Sequence, residues 1–393
     1  MKIIISRESF TGVLLFALLL MSSCKPIQNL KQTPVAYKGS VNFERNTPIY
    51  EPSKKTVVII ADNKMTEIFD MLAPFYLFNT TGKANVLIIA KEKTPILVKN
   101  GLFVLPQLTF HETDSLGLQA DVIVIPALSI RDEHQDTILM NWIKTHFTPN
   151  TKMLAICDGA STAAATGFYD GKPLTCHASD YEGLKAHFSK PSWVQQVSVT
   201  QSGNLFSTAG VSNAVEGSLT IINELFGRET MQKISVAIHY PHKEINTSHQ
   251  SIAINFNSKL TIARKVILRK NNRIGLLLEN GINEFDLASV LDTYGRTFPL
   301  SFSTFILNDS TVRTKFGLTL VCPAKADFKR LDELHLLMPD SFSKEEAELF
   351  KDIKLVRYDG LQTQYPIDVC LKQIADQYGH KFENVVKQLL DYN

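Results

Sequence analysis

The chain is short of cysteine and has no pattern that would place cysteine on a metal. None of its five cysteines stands in a Cys-x-x-Cys pair or a His/Cys cluster. No zinc site follows, and no metal or other cofactor is expected. An excess of charge of one sign is also lacking. Forty-one Lys and Arg oppose 39 Asp and Glu, leaving a net +2, which argues against a nucleic-acid or polyanion surface. The apolar run over residues 13–21 is too short to span a bilayer.

That short run has a different meaning at an N-terminus. Lys2 and Arg7 supply a basic region ahead of it, and Ser22-Ser23-Cys24 follows it. Residues 1–23 therefore read as a signal peptide. The placement of Cys24 resembles a bacterial lipoprotein box, although Met21 stands where leucine is more usual. The mature chain is then expected to start at Cys24 with lipid on its sulfur and amine. Several acyl chains together anchor a protein stably to a membrane surface. The expected location is the cell envelope, facing the periplasm or the cell surface. Residues 24–54 carry Pro26, Pro34, Pro48 and Pro52 and no apolar period, the composition of a flexible tether.

The most informative local feature is Lys152-Met-Leu-Ala-Ile-Cys157-Asp-Gly-Ala160. An apolar strand runs into a cysteine, and small residues then open a helix. A nucleophile on such a bend is exposed above the sheet. The N–H groups of the helix start can lower its pKa and hold a developing oxyanion. The plainer reading is a structural cysteine packed as a small hydrophobe. The other cysteines are Cys176, Cys322 and Cys370. In an oxidising envelope, Cys157–Cys176 and Cys322–Cys370 bridges are both conceivable, and the first would destroy the nucleophile.

From Thr56 the pattern alternates strand and helix. Strand-like runs start at Thr56, Asn85, Gly101, Asp121 and Lys152. Helical stripes lie over 68–78, with Thr66 as N-cap, and over 135–146. Residues 194–200 and 204–208 predict a hairpin, and a long helix ends at Gly227. The expected fold class is α/β: a doubly wound, mostly parallel, flavodoxin-like sheet with its site at the carboxyl ends of the strands.

Thr66-Glu-Ile-Phe-Asp70-Met-Leu-Ala-Pro74, Asp121-Val-Ile-Val-Ile-Pro126, Ala155-Ile-Cys157-Asp-Gly-Ala160, Gly167-Phe-Tyr-Asp-Gly171, Thr175-Cys-His177 and Ser207-Thr-Ala-Gly210 occur in order. In that order and spacing they resemble the ThiJ/PfpI superfamily, with its class I glutamine-amidotransferase-like fold. The branch with isonitrile hydratases and the amidase-like domains of AraC-type regulators is the most similar. The resemblance covers residues 55–242. It implies that Cys157 is the nucleophile, that Asp70 is an acid placed against it, and that His177 assists, as in deglycase-like members. It also implies that the backbone N–H of Asp158 serves the oxyanion. Asp158 stands where protease-like members carry histidine, which argues against peptidase activity. The helix-turn-helix region of the regulators is absent.

Residues 243–272 read as a connector. Beyond them, Gly281-Ile-Asn-Glu-Phe-Asp286 echoes Met65-Thr-Glu-Ile-Phe-Asp70 at an offset of 286 − 70 = 216. Gly317-Leu-Thr-Leu-Val-Cys-Pro323 echoes Gly101-Leu-Phe-Val-Leu-Pro106 at the same offset. Residues 273–393 are therefore expected to be a degenerate, truncated second copy whose elbow is missing, so that Asp286 has no catalytic partner. Pairing between the two lobes, or between copies of the chain, is expected. The function expected is a cysteine-dependent hydrolase, hydratase or glyoxalase-like lyase on a small molecule. The alternative is a non-catalytic lipoprotein that binds a ligand or senses oxidants through Cys157.

Overall fold

A computed structural model describes residues 37–39, 43–44, 46, 48–99, 102–128, 136–242, 245, 249–269, 271–307, 309–322 and 330–393. The expected signal peptide and Cys24 lie outside the described residues. No helix among the described residues is long and apolar enough to cross a membrane.

The larger sheet has seven strands: β1 (Lys55–Ala61), β2 (Ala84–Ala90), β3 (Leu108–Thr109), β4 (Val122–Ile125), β5 (Lys152–Ile156), β6 (Val199–Ser202) and β7 (Leu205–Thr208). Their order is β6-β7-β5-β4-β1-β2-β3. All pairings are parallel except the β6–β7 hairpin. Strand residues alternate between the two faces. Val57, Ile59, Ile88 and Val124 pack on one side with helices α1 (Ile68–Thr80) and α3 (Ala214–Phe226). Val58, Ile60, Leu87 and Ile123 pack on the other with Trp142, Ile143 and α2 (Gly159–Thr166). The sheet is therefore doubly wound, as expected. Residues 102–104 do not join it. They form an antiparallel ribbon with Ile96–Lys99, Thr311–Arg313 and Thr319–Val321.

A second sheet contains β8 (Arg273–Leu277), β9 (Ser301–Phe305), β10 (Glu333–Leu336) and β11 (Lys354–Arg357). It is wholly parallel, in the order β9-β8-β10-β11. This is the arrangement of β2-β1-β4-β5. Helix α4 (Glu284–Gly295) follows β8 and packs on α1, while α5 (Pro366–Tyr378) packs on α4. Phe69 on α1 meets Phe285 on α4 with ring centroids 5.6 Å apart. Val104 pairs with Leu320 across the antiparallel ribbon. Both contacts join residues 216 apart, as an approximate two-fold would. One continuous apolar core runs through both sheets.

β11 runs into Tyr358-Asp359-Gly360-Leu361 and a short 3₁₀ turn. Tyr358 has φ −114°, outside the left-handed region that Cys157 occupies, and no cysteine elbow stands there. One expectation needs correction: the tether is not free along its whole length. Tyr37 packs edge-on against Phe103, Arg313 donates to the Glu44 carbonyl, and Asn46 donates to the Gly317 carbonyl. Its aromatic and amide groups find partners in the antiparallel ribbon that polar composition alone does not announce.

Candidate active site

The strand-to-helix turn at Cys157 is tight in two ways. Cys157 has φ 53°, in the left-handed region that non-glycine residues rarely occupy. A Cβ on Gly159 would stand 2.1 Å from the Ile125 carbonyl oxygen, so only glycine lets α2 approach β4 this closely. The turn aims Cys157 into a cavity of about 390 Å³ at the carboxyl edge of the sheet, shared with Glu67, Asp158, His177, Asp180 and Arg296.

The surroundings oppose the expected low pKa. Cys157 is only 5% exposed. Burial, then the charges of Asp158, Asp70 and Glu67, push its thiol well up, while Arg296 pulls it down. The helix start favours a thiolate, but desolvation and three acids outweigh it. The sulfur has no hydrogen-bond partner among the described residues. Cys157, Cys176, Cys322 and Cys370 are all free thiols, so neither bridge forms.

Asp70 is fully buried, not solvated. Its Oδ2 accepts a hydrogen bond from the Ala127 N–H at 3.0 Å, while Glu67 N–H donates to the Ala127 carbonyl at 2.9 Å. The start of α1 is thereby pinned to the chain leaving β4. Oδ1 of Asp70 is buried without a partner. Burial and then Glu67 drive its carboxyl well up. Asp70 lies close enough to Cys157 for their charges to repel, without a hydrogen bond between them.

His177 lines the cavity, and its Nε2 is buried without a partner. Nδ1 accepts from the Ser179 N–H at 3.2 Å and lies 3.5 Å from Asp180. Burial lowers its pKa, but Asp180 and other acids more than compensate, and the net shift is upward. Asp158 precedes α2, where the first N–H groups of a helix have no intrahelical partner. Its carboxyl is pushed up to about 6, by burial first and Asp180 second.

Three polar residues of the cavity, Glu67, Asp180 and Arg296, escaped the sequence. Glu67, and not Thr66, caps α1, its Oε2 accepting from the Asp70 N–H at 2.8 Å. The acidic residue three before Asp70 was the available signal. Arg296 comes from the second sheet, at the carboxyl end of α4, where a cation suits the helix dipole. It is 2.9 Å from Asp292 and 3.8 Å from Glu67. No local pattern connects it to Cys157. Among the described residues no group of three or more His, Cys, Asp or Glu is placed to hold a metal ion.

Comparison with known proteins agrees with the resemblance. Isonitrile hydratase of Pseudomonas putida is 24% identical over 172 residues, which is 44% of this chain and 72% of the relative. The Parkinson disease protein 7 homolog of Danio rerio is 22% identical over 189 residues, 47% of this chain and 96% of that protein. The crystal structure of Drosophila melanogaster DJ-1beta aligns at TM-score 0.42 and 21% identity, over 47% of this chain and 96% of its own. Residues 54–224 match the model of the DJ-1/PfpI family, and with the doubly wound sheet and the turn at Cys157 this part of the chain is a DJ-1/PfpI-family domain.

Proposed function

We propose that the protein is a lipid-anchored, cysteine-dependent enzyme acting on a small electrophilic molecule, as a hydrolase, hydratase or glyoxalase-like lyase. The observation that carries the reading is Cys157, strained at φ 53° and facing a cavity with the unpartnered Nε2 of His177. The Cys157 sulfur forms a bond to an electrophilic carbon, and its proton passes to Asp70. Cys157 and Asp70 cannot both ionise in so dry a place, so one proton serves the pair. The electron pair displaced from the carbon moves onto its heteroatom, where the Asp158 N–H and His177 Nε2–H stabilise it. Arg296 holds Glu67 and offsets the negative charge around the thiol. The oxidant-sensing alternative is weaker, because sensing needs a resting thiolate and this thiol is held neutral.

The same reading makes the second sheet a truncated copy of the first, with Tyr358 after its last strand and no nucleophile elbow. It is supported by the shared strand order and by the two contacts at an offset of 216.

Small carbonyls, nitriles and isonitriles should be offered to the wild-type chain and to Cys157→Ala, Asp70→Asn and His177→Ala. Turnover of at least one class is expected, abolished by Cys157→Ala and reduced at least tenfold by each of the others. Turnover unaffected by Cys157→Ala, or no turnover and no thiol adduct with any class, refutes the enzyme. For anchoring, Cys24→Ala should move the protein out of the membrane fraction and remove the mass of the lipid. Unchanged partitioning and mass would refute it.

A further inference from the structure

The second sheet has a cavity of its own, which the proposed chemistry does not use. It lies at the carboxyl ends of β8, β10 and β11, between the chains leaving β8 and β10, and has a volume of about 750 Å³. That is nearly twice the volume at Cys157. In open parallel sheets such a crevice, where the strand order reverses, is where ligands bind. The reversal here falls between β8 and β10.

The lining is one-sided in charge. Asp286, Asp340 and Asp359 contribute carboxylates, and among the described residues no Lys, Arg or His lines the cavity. Leu337 and Leu361 add apolar surface, and Ser341 stands at the exposed rim. Asp286 is half-buried in the cavity wall, and its carboxylate oxygens make no hydrogen bond to the described residues. The charge of Lys315 reaches Asp286, but Lys315 does not line the cavity. Its Nζ is 3.3 Å from the Tyr76 hydroxyl and lies over the Tyr76 and Phe316 rings. Tyr358, after β11, has its hydroxyl 2.7 Å from His335 Nδ1, so it closes the wall and offers no nucleophile.

A roomy cavity with an unpartnered carboxylate, two more at its mouth and an apolar side is matched by an organic cation. We infer that the second sheet carries a separate, non-covalent binding site for a compact primary amine with an apolar body, its ammonium held by Asp286. The site stands independently of the chemistry at Cys157.

The test is calorimetric titration of the full chain with three probes of similar shape: phenethylamine, 3-phenylpropanol and 3-phenylpropanoate. Saturable binding of the amine is expected, at least tenfold tighter than the alcohol, with no binding of the carboxylate. Asp286→Asn should weaken the amine at least tenfold. Ser341→Trp, at an exposed rim position, removes the hydroxyl bonds to Glu279 and the Met338 carbonyl; it should block the amine while the far-UV spectrum stays that of the wild type. Alkylation of Cys157 should proceed at the wild-type rate in both variants. Equal binding of alcohol and amine, no saturable binding of the amine, or amine binding unchanged in Asp286→Asn or Ser341→Trp would overturn the proposal.

Discussion

Arg296 of the second sheet lies 3.8 Å from Glu67 of the first, at the edge of the Cys157 cavity. It also pairs with Asp292, whose side chain is fully buried. Removing the guanidinium leaves Asp292 without that buried partner. Arg296→Ala should therefore lower unfolding free energy by about 3 kcal/mol, measured in urea. Cys157 should also alkylate more slowly, because the one nearby cation that favours its thiolate is gone. Wild-type stability in Arg296→Ala would show that the pair contributes nothing to the fold.

The charge on Asp158 has the opposite effect on the thiol. Its carboxyl titrates near 6 and is ionised at pH 8, where it repels a Cys157 thiolate. Asp158→Asn should raise the iodoacetamide alkylation rate of Cys157 at pH 8 on the order of three- to tenfold. A slower rate would mean that the carboxylate accepts the thiol proton and does not oppose its loss.

Asp286 makes stability depend on pH. Burial pushes its carboxyl from the ordinary 3.8 up to about 7, Lys315 pulling down and Glu284 pushing up. Between those values the folded chain binds more protons than the unfolded one, so this group's contribution falls as pH rises from about 4 to 7. Asp286→Asn should match the wild type near pH 4 and exceed it by about 2 kcal/mol at pH 8. Denaturation curves at the two pH values check the sign, and a variant less stable at pH 8 would contradict it.

Gly159→Ala places a methyl group against the Ile125 carbonyl oxygen. The helix must shift or the turn must open, at roughly 2–4 kcal/mol. Thermal melting reads the loss, and the strained Cys157 backbone should relax with it. A wild-type melting temperature would mean that the approach of α2 to β4 is softer than the contact implies.

The larger sheet was legible because its strands announce themselves. Thr56-Val-Val-Ile-Ile and Asp121-Val-Ile-Val-Ile can be buried on both faces only in a covered parallel sheet. Cys157 was legible because it joins a strand end to a helix start, whereas Asp158 and His177 came from the resemblance; all three meet at one cavity. Residues 102–104 were misplaced because a three-residue apolar strand looks alike in any sheet. The raised thiol pKa was hidden because it depends on Glu67 and on burial. Arg296 belongs to another sheet altogether, and only tertiary structure brings it in.

Arg296 lies 216 positions beyond Thr80, so what one side of the α1–α4 contact has, the other lacks. In a symmetric homodimer every substitution appears on both sides of the interface at once. On the proposed reading of the second sheet as a copy of the first, this chain carries both sides and is released from that constraint. An arginine can be lent in one direction only, and a nucleophile kept on one side while an acid-lined cavity opens on the other. Each half is then free to drift toward its own task, with heritable asymmetry and no change of stoichiometry.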